Sequence, residues 1–204
     1  MDARQRKTRA RLATTILELA ATRRVSEITV SEIAEQANIN RSTFYQHAAT
    51  PGELLESVLS DELHSLELDL TGIGAEAAAQ GITDTTIATI RHIEEHAEVY
   101  RVGLSDDAGG SSLQPMLNRR FADAIIQLFD QGTVSIPDTV DLSPEARQLF
   151  SRTAANFVAA GAVASIKEWL DTPAPRDIEV FLEVYRELVP YWWPTPAASK
   201  AIID

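Results

Sequence analysis

Apolar residues recur every three or four positions along nearly the whole chain, the spacing that gathers them on one face of an α-helix. Leu12, Ile16 and Leu19 define a first helix, with Arg4, Arg6, Lys7, Arg9 and Arg11 crowded at its start. Thr29 and Glu32 have the spacing of a capping box and open a second helix at Val30, with Ile33, Ala34 and Ala37 on its apolar side. Asn38 ends that helix, because asparagine tolerates the left-handed backbone of a tight turn. A helix of about two turns over 41–47 follows, with Phe44 as its one core residue. Thr50 and Pro51, an N-cap with proline at the first helical position, start a longer helix striped by Leu54, Leu55, Val58, Leu59, Leu63 and Leu66. Further helices are expected at about 83–95, 97–104, 112–130, 143–170 and 177–192. Only Val134 to Leu142 alternates like a strand, and Gly132 and Pro137 mark it as a loop. The fold class is all-α.

The short third helix carries the chemistry. Two short helices joined by a tight turn, the second holding Arg41, Ser42, Thr43, Tyr45, Gln46 and His47, have the layout of a helix-turn-helix. A B-DNA major groove admits one α-helix, and Arg41 and Gln46 are residue types that read guanine and adenine edges through paired hydrogen bonds. Thr43, Tyr45 and His47 suit phosphate contacts, and Thr50 with the free amides of the following helix start offers another anion site. The plainer alternative is a solvated polar helix without a partner.

The net charge of −12 argues against a nucleic-acid partner until it is divided along the chain. Residues 1–50 carry +3 and residues 51–204 carry −15, so a basic head precedes an acidic body. The division favours DNA over the plainer alternative. With no cysteine, disulfide frameworks, thiol catalysis and cysteine-ligated metal all drop out. No signal-peptide core is visible at the start, and the weakly polar run Phe157 to Ile166 is too short for a membrane span, so a cytoplasmic protein with no membrane partner is expected. No glycine-rich phosphate loop, nucleophile elbow or dinucleotide fingerprint occurs, and neither an enzyme nor a cofactor is expected.

Residues 9–59 resemble the DNA-binding domain of the TetR family of transcriptional regulators. The matching segments are Thr29-Val30-Ser31-Glu32-Ile33-Ala34, Ala37-Asn38-Ile39-Asn40 and Thr43-Phe44-Tyr45-Gln46-His47. The chain departs from the family pattern at Arg24 and Asn38 (glycine), Ala48 (an aromatic) and Pro51 (a lysine). The resemblance implies a helix-turn-helix domain over 1–50 and a helical ligand-binding and dimerisation domain over 51–204. It further implies a homodimeric repressor released from a palindromic double-stranded DNA operator by a small-molecule effector. The DNA contacts would come from Arg6, Arg9, Thr29, Thr50 and the 41–47 helix. The alternative is a helical interaction module or adaptor that reads no DNA sequence.

Three further expectations concern the acidic body. An effector pocket is expected among the middle helices, walled by Leu63, Ile87, Ile90, Leu117, Phe121 and Ile125, with His64, Arg91, Tyr100 or Arg120 as polar groups. The last two helices carry more apolar surface than one core needs. An intersubunit four-helix bundle involving Phe157, Ser165, Trp169, Phe181, Tyr185, Leu188 and Trp192 is favoured over a pairing within one chain. Finally, His92-Ile93-Glu94-Glu95-His96 matches the H-x-x-E-H pattern of inverted zinc peptidases. Five residues of low specificity with no supporting feature are read as a solvated helix end, with a regulatory metal on His92 and His96 as the alternative, and no metal is expected there.

Overall fold

Nine α-helices and two 3₁₀ turns, with no strand among the described residues, make up a computed structural model that describes residues 3–68, 70, 72, 74–135 and 141–194. They are α1 (Ala3–Ala20), α2 (Val30–Gln36), α3 (Arg41–Phe44), α4 (Pro51–Ser65) and α5 (Ala75–Glu95), then α6 (Ala97–Leu104), α7 (Gln114–Asp130), α8 (Pro144–Leu170) and α9 (Ile178–Leu188). Part of the expected 134–142 loop lies outside the described residues.

Local chemistry sets most of the boundaries. The Thr29 hydroxyl accepts the Glu32 amide at 3.2 Å while the Glu32 carboxylate accepts the Thr29 amide at 3.1 Å, a closed capping box. Asn38 takes a left-handed φ of 52°, and the turn closes with the Ile39 amide on the Ala34 carbonyl at 2.9 Å. Thr50 caps α4 by accepting the Glu53 amide at 3.1 Å, and Ser143 caps α8 by accepting the Ala146 amide at 3.2 Å.

Three boundaries differ from the sequence expectation. α5 starts at Ala75 rather than near 83, because its alanine-rich first turns have high helix propensity but little amphipathic signal. α9 stops at Leu188 rather than 192, since Val189 precedes Pro190 and adopts an extended ψ of 148°. Regular α-helix in the third element ends at Phe44, and the chain continues as a tighter turn in which the His47 amide donates to the Phe44 carbonyl at 2.8 Å.

One hydrophobic core runs from Leu12 and Ile16 on α1 through Phe44 and Leu59 to Tyr100, Leu117, Ile166 and Phe181. The expected boundary at residue 50 therefore falls in a chain junction, Thr50 to Pro51, but not in a gap between cores. α7 and α8 pack along each other through Ala122 and Ile125 against Ala155, Val158 and Ala159. α8 is, by length and composition, the one described helix able to cross a membrane. The uninterrupted weakly polar run Phe157 to Ile166 is shorter than such a span, because polar residues such as Thr153 and Asn156 break up the apolar ones before it. Val163 and Ile166 face the core, whereas Leu149 and Phe157 are exposed.

Candidate nucleic-acid interface and adjoining cavity

Phe44 is wholly buried, and it anchors a short helix whose opposite side is polar and open. Arg41, Ser42, Tyr45 and Gln46 are exposed, while Thr43 and His47 are half-buried at the flanks. The Tyr45 ring stands edge-on to Phe44, with centroids 5.6 Å apart. Among the described residues, the side chains of Arg41, Ser42 and Gln46 make no hydrogen bond or ion pair within the chain, so their donors and acceptors remain available to a partner.

The other expected DNA contacts are placed differently. Thr29 donates its hydroxyl to Glu32 at 3.1 Å and accepts the Glu32 amide, so its oxygen is committed to the cap. Arg23 and the capping bonds from Thr29 hold the Glu32 carboxyl below the usual carboxylate range, which keeps the box ionised. Arg9 is ion-paired with Asp61 and contacts the Ser57 hydroxyl at 3.4 Å, tying α1 to α4, whereas Arg6 is exposed. Thr50 is exposed and caps α4 through its oxygen.

A cavity of about 190 Å³ opens between α5, α7, α8 and α9. Of the expected wall residues, Ile90, Phe121 and Ile125 line it. Leu63, Leu117 and Tyr100 are instead buried in the main core, and Ile87 packs against that core. His64 and Arg91 are exposed, because each points off a helix whose apolar stripe faces the other way. The polar lining comes from Thr85, Thr86 and Thr89 on α5, Gln127 and Gln131 by α7, and Tyr185 on α9. The threonine spacing in Thr85-Thr86 and Thr89 was a readable signal, since three hydroxyls on the inner side of a helix need a polar or liganded neighbour. Thr86 is satisfied by donating to the Ile82 carbonyl at 2.8 Å, while Thr85 and Thr89 have no protein partner among the described residues. Burial pushes the Tyr185 phenol up to about 12, so it enters as a neutral hydroxyl.

Glu67, just beyond α4, also lines the cavity and is ion-paired with Arg120 of α7. Arg120 reaches the His64 ring at 3.1 Å as well, although its expected place as an orienting group is the cavity itself.

The expected subunit interface divides in two. Trp169 and Phe181 are buried in the chain's own core, their rings 5.3 Å apart, and Tyr185 stacks on Phe181 while remaining half-buried. Trp192 packs near Phe129 and Ser165 is half-buried. Phe157 at 71% and Leu188 at 63% exposure are open. Val180 and Val184, which sequence reasoning passed over, join Leu188 in an exposed stripe at four-residue spacing, and Leu149 on α8 is exposed as well. The helical period alone could have separated this stripe from the Phe181 and Tyr185 side of α9.

The H-x-x-E-H segment does not assemble a peptidase centre. Glu95 is exposed, Glu94 is paired with Arg176 at 3.4 Å, and the buried His92 ring is hydrogen-bonded to the Tyr100 hydroxyl at 3.0 Å. Burial, with His96 beside it, pushes the His92 imidazole down to about 4.

No family model matches the chain. It is 34% identical over 76 residues to the HTH-type transcriptional regulator SrpR of Pseudomonas putida, a stretch covering 37% of this chain and 36% of that one. It is 32% identical over 81 residues to the uncharacterized HTH-type transcriptional regulator TtgW, also of Pseudomonas putida, covering 39% and 60%. The matches thus span 36% and 60% of those relatives' own lengths. Among solved structures, a TetR transcriptional regulator from Streptococcus agalactiae 2603V superposes with a TM-score of 0.60 at 21% identity, over 92% of this chain and 96% of that one. The chain has the all-α fold of the TetR-family regulators that its sequence resembles.

Proposed function

We propose that this chain is a homodimeric, sequence-specific DNA-binding transcriptional regulator, a repressor that leaves a palindromic operator when a small molecule fills the cavity. The observation that carries the reading is the open face of α3, where Arg41, Ser42 and Gln46 stand without partners on a helix fixed by the buried Phe44. A polar helix packed this firmly, in a chain whose basic first helix leaves Arg6 exposed, suits insertion into a major groove. The exposed apolar residues of α8 and α9 supply the surface for a two-fold partner, which a two-fold operator requires.

Release follows from the position of α4. Its first residues adjoin the end of the reading element and its end leads into Glu67 and Leu68, both of which line the cavity. An occupant that displaces Glu67 displaces α4, and with it the spacing of the two reading helices in a dimer. The lining favours a largely apolar effector with a few hydrogen-bonding groups, and the −15 charge of residues 51–204 disfavours an anionic one.

Selection from random DNA duplexes by the purified chain tests the reading. The expected product is a palindrome with half-sites about one helical turn apart, or a multiple of that. Enrichment of no sequence, with binding that only follows salt, would defeat it.

A further inference from the structure

We propose that Glu62, His92 and His96 form a binding site for one divalent transition-metal ion of the zinc class, joining α4 to the α5–α6 junction. Glu62 lies in the last turn of α4, His92 in the last turn of α5, and His96 between α5 and α6. Folding brings one donor atom from each to within 4.8 Å of the others. The Glu62 Oε2 atom is 3.5 Å from His96 Nε2 and 3.9 Å from His92 Nε2.

A tetrahedral ion with bonds of about 2.1 Å holds its donors about 3.4 Å apart, so the Glu62 to His96 spacing already fits, His92 needs to approach Glu62 by about 0.5 Å, and the two imidazole donors, within 4.8 Å of each other, need to close by up to about 1.4 Å. Glu62 Oε2 is buried and has no hydrogen-bond partner among the described residues, an uncompensated acceptor aimed between two imidazoles. No arginine or lysine pairs with Glu62 among the described residues, so a cation would complete the cluster.

The donor set selects the metal. Two imidazoles and one carboxylate suit zinc, cobalt, nickel or copper, whereas calcium and magnesium take oxygen donors. His96 and Glu62 retain 27% and 37% exposure, which leaves the fourth position open to water. The ion takes the His92 nitrogen that now meets the Tyr100 hydroxyl, so loading displaces that hydrogen bond.

The test uses the untagged full chain, stripped with chelator and titrated with Co²⁺ and then Zn²⁺. The expected result is a visible cobalt band that saturates at one equivalent per chain and is displaced by zinc. The band should be lost in His96→Ala and in Glu62→Gln, both with circular dichroism spectra like the parent, and kept in His64→Ala. Zinc should also raise the melting temperature of the parent chain but not of the two variants. Absence of a saturating band, or uptake undiminished in Glu62→Gln, overturns the site.

A consequence rests on the DNA-binding reading. Asp61, next to Glu62, is tied to Arg9 of α1, so an ion that draws in Glu62 repositions α4 against the helix-turn-helix and changes DNA affinity. Affinity unchanged in zinc-loaded protein removes this coupling and leaves the site standing.

Discussion

The guanidinium of Arg120 on α7 is ion-paired with the carboxylate of Glu67, just past the end of α4, where that carboxylate also forms part of the cavity wall. Arg120 Nε is buried without a partner, so the guanidinium depends on Glu67 and His64 for its remaining bonds. Glu67→Gln should destabilise the chain by about 1–3 kcal/mol, since it strands a partly buried cation. A double-mutant cycle with Arg120→Met in denaturant titrations should return a coupling above about 0.5 kcal/mol. Additive losses would mean that the two groups act as an ordinary surface pair.

Arg41→Ala should weaken binding to the selected duplex by about 1–3 kcal/mol and relax preference at one base pair per half-site, with little effect on random DNA. Arg6→Ala should weaken both duplexes and reduce the slope of log K against log salt by about 0.9 for each phosphate it no longer neutralises. Arg9→Ala should change that slope less, because its charge is already met by Asp61. Titrations on both duplexes at several salt concentrations distinguish the three. Equal losses on both duplexes for Arg41→Ala would make Arg41 a phosphate anchor.

Leu188→Glu and Val184→Glu place a charge on the exposed stripe of α9 and should yield folded monomers by light scattering, where the parent chain is a dimer under the proposed function. Phe181→Ala should instead lower stability by about 3–5 kcal/mol, because Phe181 fills the chain's own core against Trp169. A Leu188→Glu chain that remains dimeric would move the interface to another surface.

Thr29→Ala removes the hydroxyl half of the capping box and should lower the stability of the chain by about 1 kcal/mol, read as a shift in the denaturant midpoint. Thr29→Ser should restore most of it, since the serine oxygen accepts the same amide.

Gly103→Ala should be among the costlier single-methyl changes. An added Cβ would meet Leu113 Cδ1 at 2.5 Å and Cγ at 2.6 Å, and Leu113 is held by burial and by its amide on the Gly103 carbonyl at 2.8 Å. Overpacking of this kind costs about 1–3 kcal/mol, and a thermal melt should show it. Leu113→Ala in the Gly103→Ala background should recover little stability, because it exchanges the clash for a cavity.

The helical period, the caps at Thr29, Thr50 and Ser143, and the left-handed Asn38 all depend on residues at most a few positions apart, so spacing and residue type suffice to specify them before any packing is known. The polar face of α3 was legible for the same reason, because Phe44 is its only large apolar residue. Which of two apolar sides of a helix meets the chain's own core is a different matter, settled by packing between distant segments. On α9, Phe181 and Leu182 turn inward to Trp169 while Val180, Val184 and Leu188 stay outside, and the linear pattern ranks neither side above the other. The cavity walls likewise need the packing of four helices. Glu62 joined His92 and His96 only through folding, because donors from separate helices share no sequence spacing and meet only when α4 packs beside the end of α5.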